Sequence, residues 1–145
     1  METIQGDLLH VESGIICQQV NCQRVAGAGL ALQIRKRWPE WYDGFSHHDA
    51  SLGDAHYFRA NQDLTIASLY AQDSYGREGR YTNYEAFYTS LDVVRNFVLG
   101  IQVSGGDAQV YLPHGIGCGL AGGDWHIVSA MIEAVLPGAI IVRRE

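Results

Sequence analysis

The chain has 145 residues, 47% of them hydrophobic and 18% charged, which suits one hydrophobic core and excludes a disordered chain. A formal net charge of −6 excludes a general nucleic-acid binder, because binding to phosphate backbones needs Lys and Arg concentrated on a surface. No run approaches the roughly 18 apolar residues of a membrane span, and the N-terminal stretch METIQGDLLHVESG has no basic or long apolar segment, so a cytoplasmic single domain over residues 1–145 is expected.

In chain order, residues 2–6 and 14–20 read as strands, the second (GIICQQV) with residues suited to burial on both faces. A Gly-rich turn follows, and then Leu30, Ile34 and Trp38 step at helical spacing until Pro39, where the helix should have ended. GDAHYFRA (53–60) and LTIASLYAQ (64–72) read as two strands joined by the polar turn NQD. The loop DSYGREGRYT precedes a longer helix from about Asn83, with Tyr84, Phe87, Leu91, Val94 and Val98 on one face and Thr82 or Asn83 as its cap. AQVYLPH (108–114) reads as a strand, GIGCGLAGGD (115–124) as a second glycine loop, WHIVSAMIEAVL (125–136) as a helix stopped by Pro137 and Gly138, and AIIVRR (139–144) as a last strand. Strands alternating with helices imply a layered α/β fold with a largely parallel sheet.

Glycine accounts for 17 residues, and much of it falls in two stretches, 27–29 and 115–123. Each stretch follows a strand and opens a helix, which places both at the carboxyl ends of sheet strands, where α/β folds hold ligands. A phosphate approaching backbone amides would collide with Cβ atoms, so Gly and Ala are the residues that admit it. Tight turns and close helix–strand packing also use glycine, but two such loops in equivalent positions favour a shared anion site. GAGLA lacks the third glycine of the dinucleotide fingerprint and no GxxxxGK[ST] is present, so neither a standard Rossmann enzyme nor a P-loop NTPase is supported.

Three segments, GDLL at 6–9, VNCQRVAGAGLALQI at 20–34 and LPHGIGCGLAGGDWHIVSAMIE at 112–133, closely resemble the macro domain family, which binds ADP-ribose. The resemblance runs from Ile4 to Val142 and is strongest to the branch that processes ADP-ribose 1″-phosphate in phages and bacteria, related to terminal ADP-ribose glycohydrolases. It implies a three-layer α/β/α macro domain with a mixed, largely parallel central sheet. It also implies roles for particular residues. Asp7 matches the carboxylate that accepts from the adenine amino group, Leu8 flanks the base, and Asn21 matches the amide that holds the distal ribose. Gly27, Ala28, Gly29 and Leu30 match the first diphosphate loop, and Ile116, Gly117, Cys118, Gly119 and Leu120 match the second. Arg143 stands near where relatives stack an aromatic residue on adenine, and its guanidinium plane suits that task or a solvated chain end. Asp7 equally suits the cap of its own turn.

Glycohydrolases of the related branch use a Lys nucleophile and an Asp; here those positions hold Gln72 and Ala121, which argues against a lysyl–ribose adduct. The candidate catalytic residues are Asp124, which can orient or deprotonate a water and is also an apt helix N-cap, Asn21, and His114 as an acid or base. Cys118 has only His114 near it in sequence, and a small buried thiol is its ordinary state. Tyr75, Arg77 and Arg80 can reach a terminal phosphate or lie solvated on their loop. The expected ligands are ADP-ribose or ADP-ribose 1″-phosphate, with an ADP-ribosylated protein or nucleic acid as a further partner and a non-catalytic reader or scavenger as the alternative function. Six histidines and three cysteines, Cys17, Cys22 and Cys118, show no metal-ligand spacing; no metal, no cofactor and a reducing compartment are expected.

Overall fold

In the computed structural model, which describes residues 1–144, the strand GIICQQVN forms β2 (Gly14–Asn21) and lies inside the sheet. It pairs in parallel with β4 (Leu64–Gln72) on one side and with β5 (Val110–Pro113) on the other. Beyond β5 come β6 (Ile140–Arg143) and the edge strand β1 (Glu2–Gln5), both parallel; beyond β4 comes β3 (Ala55–Arg59), the one antiparallel strand. Among the described residues the sheet order is therefore β1-β6-β5-β2-β4-β3, mixed and mostly parallel.

Alternation along the inner strands sends side chains into two separate cores. Ile15, Cys17, Leu69 and Leu112 meet α3 (Tyr84–Val103) and α4 (Trp125–Val135) through Phe87, Leu91, Val94, Val128 and Ile132. Ile16, Val20, Ile66 and Tyr70 meet α1 (Gly29–Arg37) and α2 (Pro39–His47) through Ile34, Trp38, Trp41 and Phe45. The result is three layers, helices covering both faces of the sheet, with each fully buried aliphatic chain contributing about 2 kcal/mol. Asn83 caps α3 by accepting from the Ala86 amide at 2.9 Å.

Helix α2 is the α-helix that reading the sequence missed, and a single 3-10 turn at Leu8–His10 was likewise not expected. Pro39 does end α1, at Arg37, but it also occupies the first position of α2, where a missing N–H costs nothing. WYDGF offers two apolar side chains at i and i+4, Trp41 and Phe45, whose rings stack at 4.7 Å; that short pattern becomes decisive only against Tyr70, 6.0 Å from Phe45.

Candidate functional site

Loop 22–28 leaves the carboxyl end of β2 and turns into α1. Asn21 closes the turn with both ends of its carboxamide, Oδ1 accepting from the Val25 amide at 3.0 Å and Nδ2 donating to the Val25 carbonyl at 2.9 Å. Within that turn Arg24 takes a left-handed conformation, φ 61°, and its guanidinium donates to the His48 carbonyl at 3.2 Å. Ala28 stands at the N-cap of α1 and offers no side-chain acceptor. The amides of Gly27 through Ala31 consequently have no acceptor among the described residues. An uncapped helix start whose first residues are Gly-Leu-Ala presents bare N–H groups and the positive end of the helix dipole.

The second glycine stretch leaves β5. Ile116 anchors it in the core, while Gly115 (φ 77°) and Gly117 (φ 74°) supply a backbone that other residues adopt only under strain. The amides of Gly117, Gly119, Leu120 and Ala121 likewise find no acceptor among the described residues. The Ala121 carbonyl, turned the other way, accepts from the amides of Tyr81 and Thr82, which docks the segment between β4 and α3 against this loop. Gly122 makes that docking possible, since a Cβ there would lie 2.5 Å from the Gly79 carbonyl oxygen.

The three segments wall one cleft of about 590 Å³ at the carboxyl edge of β2 and β5. Gly27, Ala28, Gly29 and Leu30 line one side; Ile116, Gly117, Gly119 and Leu120 line the other; Tyr75, Gly76 and Arg77 form the third wall. Although the chain carries 16 carboxylates, none of the described ones lines the cleft, and Arg77 is its one permanently charged lining residue among those described. The acidic protein thus keeps its negative charge off the surface where free amides gather. That arrangement suits an anion held by backbone dipoles.

The remaining candidates fall in different places. Asn21 lines the cleft with its amide already engaged on Val25, and His114 lines it with its ring 4.8 Å from that of Trp125. Asp124 is exposed outside the lining, where Oδ1 caps α4 by accepting from the His126 amide at 2.8 Å. Cys118 also stays out of the lining; its thiol donates to the Ile116 carbonyl at 3.3 Å, and burial, followed by the nearby Asp124 charge, pushes its pKa up. Asp7 accepts from the Leu9 amide at 2.9 Å and lies 3.7 Å from His10 Nε2, Leu8 is buried in the core, and Arg143 is exposed at the end of β6; none of the three reaches the cleft wall. Arg80 lies over the ring of Tyr84, 4.5 Å from its centroid, also away from the lining.

Reading the sequence overlooked the polar floor. Gln18 and Gln19 both line the cleft; Gln18 donates to Ser68 Oγ at 3.0 Å, and Gln19 donates to Gln72 and Thr82 at 2.8 Å each. Two consecutive glutamines inside an otherwise apolar strand were the available signal, because buried amides need partners. Among the described residues, no group of three or more His, Cys, Asp or Glu is placed to hold a metal ion, and no helix is long and apolar enough to cross a membrane.

No family model matches the sequence, and none of the curated proteins does. Solved structures do. A macrodomain protein from Streptomyces coelicolor superposes with a TM-score of 0.79 at 22% identity, over 99% of this chain and 97% of its own. The fold is that of a macrodomain. A protein of unknown function from Bacteroides thetaiotaomicron superposes on this macrodomain fold with a TM-score of 0.82 at 26% identity, over 99% of this chain and 97% of that one. DarTG from Thermosipho africanus, in complex with ADP-ribose, matches with a TM-score of 0.76 at 17% identity; 99% of this chain covers 42% of that one.

Proposed function

We propose that this chain is a member of the macro domain family that binds ADP-ribose in the cleft and hydrolyses a substituent on the distal ribose. The observation that carries the reading is the meeting of two glycine loops, some ninety residues apart in sequence, around one carboxylate-free cleft with unpaired amides on both sides. A diphosphate is the chemical group that such a double cradle serves, since each phosphate takes several N–H donors without a fixed cation. The likeness in fold to a structure solved with ADP-ribose supports the nucleotide identity. A substituent such as a 1″-phosphate or an ADP-ribosylated acceptor then lies toward Arg77, which contributes the missing positive charge.

Hydrolysis in this reading proceeds by a positioned water. His114 on the cleft lining is its candidate acid–base group, with Asp124 a candidate only from outside that lining at the start of α4, and Asn21 orients the ribose side of the cleft through the turn it closes. A specific observation also favours the alternative of a non-catalytic reader or scavenger: Gln72 is tied at both ends, accepting from Gln19 and donating to the Ser74 carbonyl at 2.9 Å. Ala121, at the other position resembling a catalytic one, brings no functional group. A cytoplasmic setting suits either role.

Calorimetry with ADP-ribose, run beside product analysis on ADP-ribose 1″-phosphate and on an ADP-ribosylated protein and nucleic acid, tests both readings. Saturable binding with turnover supports the hydrolase; binding without turnover leaves the reader; absence of binding removes the whole assignment.

A further inference from the structure

Under the second glycine loop a chain of hydrogen bonds runs in one direction. Gln19 Nε2 donates to Thr82 Oγ1 at 2.8 Å, and the Thr82 hydroxyl donates to the Gly117 carbonyl at 2.6 Å. The same carbonyl accepts from the Gly123 amide at 2.9 Å. Thr82 is buried and has a single proton to give, which is committed to Gly117, so the Gln19 carboxamide must present its N–H side. Its second N–H reaches Gln72 Oε1, and Gln72 in turn donates to the Ser74 carbonyl at the root of the third wall. Gly117 sits so close above Gln19 that a Cβ there would come within 2.6 Å of Oε1.

We infer that Gln19, acting through Thr82, is a positioning residue that locks the Gly117 peptide with its carbonyl sunk into the protein, so that the cleft meets an anionic ligand with amides and never with that oxygen. The inference rests on the proposed ADP-ribose reading and deepens it. The Gly117–Cys118 peptide is held at its amide end by the Cys118 N–H, which donates to the Gly115 carbonyl at 2.8 Å, while on the Gly117 side no Cβ resists rotation, so the orientation rests on hydrogen bonds more than on sterics. A carbonyl turned toward a bound phosphate would place like partial charges together, in a cleft whose binding depends on backbone dipoles. The Gln19–Thr82 chain supplies the side-chain part of the restraint, beside the backbone bonds of Cys118 and Gly123, and each bond in it strengthens the next. The Gln72 branch ties the same hub to the Tyr75–Arg77 wall, so both sides of the phosphate-facing surface are referred to one strand residue.

The test compares the wild-type chain with Gln19→Met, Thr82→Val and Thr82→Ser by calorimetry with ADP-ribose and by amide NMR. The expected result is about tenfold weaker ADP-ribose binding in Gln19→Met and Thr82→Val. Ligand-induced shifts should persist at Gly27–Leu30 but shrink at Gly117–Leu120, with faster hydrogen exchange at the Gly123 amide. Thr82→Ser, which keeps the hydroxyl, should restore the wild-type pattern. Wild-type affinity in both disrupted variants overturns the inference, as does an equal loss of shifts at both loops, which would mark general damage. If Gln19→Met does not fold, the Thr82 pair decides alone. Should the wild-type chain fail to bind ADP-ribose, the proposed function fails first and takes this inference with it.

Discussion

Asn21 grips Val25 by both its amide and its carbonyl, 3.0 and 2.9 Å away, and so closes the turn that delivers the uncapped start of α1 to the cleft. The side chain is nearly fully buried, so neither of its own groups is free to be replaced by water. Asn21→Ala should cost about 1–2 kcal/mol of stability in urea denaturation and weaken ADP-ribose binding through the loosened loop. Asn21→Asp keeps the acceptor for the Val25 amide but turns a donor toward the Val25 carbonyl into a negative oxygen, and should lose more affinity for an anionic ligand than Asn21→Ala does.

The glycines at 115 and 117 share a left-handed backbone but not their surroundings. A Cβ at 115 meets open space, whereas at 117 it strikes the Gln19 carboxamide. Gly115→Ala should therefore cost about 1–2 kcal/mol from backbone strain alone. Gly117→Ala should cost measurably more and also weaken ligand binding. Paired thermal melts and titrations read the difference.

Asp124 offers a way to separate capping from chemistry. Asn and Asp cap helices about equally well, so Asp124→Asn should melt near the wild-type temperature while Asp124→Ala loses about 1 kcal/mol. If the carboxylate activates water, turnover of ADP-ribose 1″-phosphate falls in both variants; if the residue only caps α4, turnover follows neither.

His56 gives a pH dependence with a defined sign. Burial, and then the neighbouring His48, lower its pKa below the ordinary value of 6.5, and its Nδ1 has no partner among the described residues. The unfolded chain therefore takes up a proton near pH 6.5 that the folded chain refuses. The stability that this contributes is complete above that pH and declines as pH falls toward the lowered folded value. Denaturant titrations between pH 7.5 and 5 should show the decline, and His56→Gln should flatten it.

Arg77 is the cation on the cleft wall. Arg77→Ala should weaken ADP-ribose 1″-phosphate more than ADP-ribose, and the gap should narrow as salt is raised, because an exposed pair is screened. Equal losses for the two ligands would place Arg77 away from the terminal phosphate.

Much of the fold was legible because its signals are local. The stretch GIICQQVN carries the composition of a strand covered on both faces, Asn83 and Asp124 stand where helix caps belong, and both glycine loops follow strands and precede helices as read. Helix α2 was not legible, since Trp41 and Phe45 form too short a pattern to declare a helix until Tyr70 arrives from β4 to complete the stack. The candidate site divides in the same way. Of the two loops that the resemblance implied, Gly27, Ala28, Gly29 and Leu30 and then Ile116, Gly117, Gly119 and Leu120 line the cleft, and Cys118 does not. Side-chain roles were harder to place: Asn21 closes its own turn and Asp124 caps α4.

Local patterns account for the succession of strands and helices and for the two points where side chains are stripped from the backbone, because those depend on neighbours three or four residues away. Long-range packing brings both bare segments to one cleft, leaves its lining without a carboxylate among the described residues, and joins Gln19, Thr82 and Gly117 across 63 and 35 residues of chain. Parallel pairing of β2 with β4 and β5 makes those meetings, and which strands lie side by side is set by the burial of the whole sheet between two helical layers, not by any segment read alone.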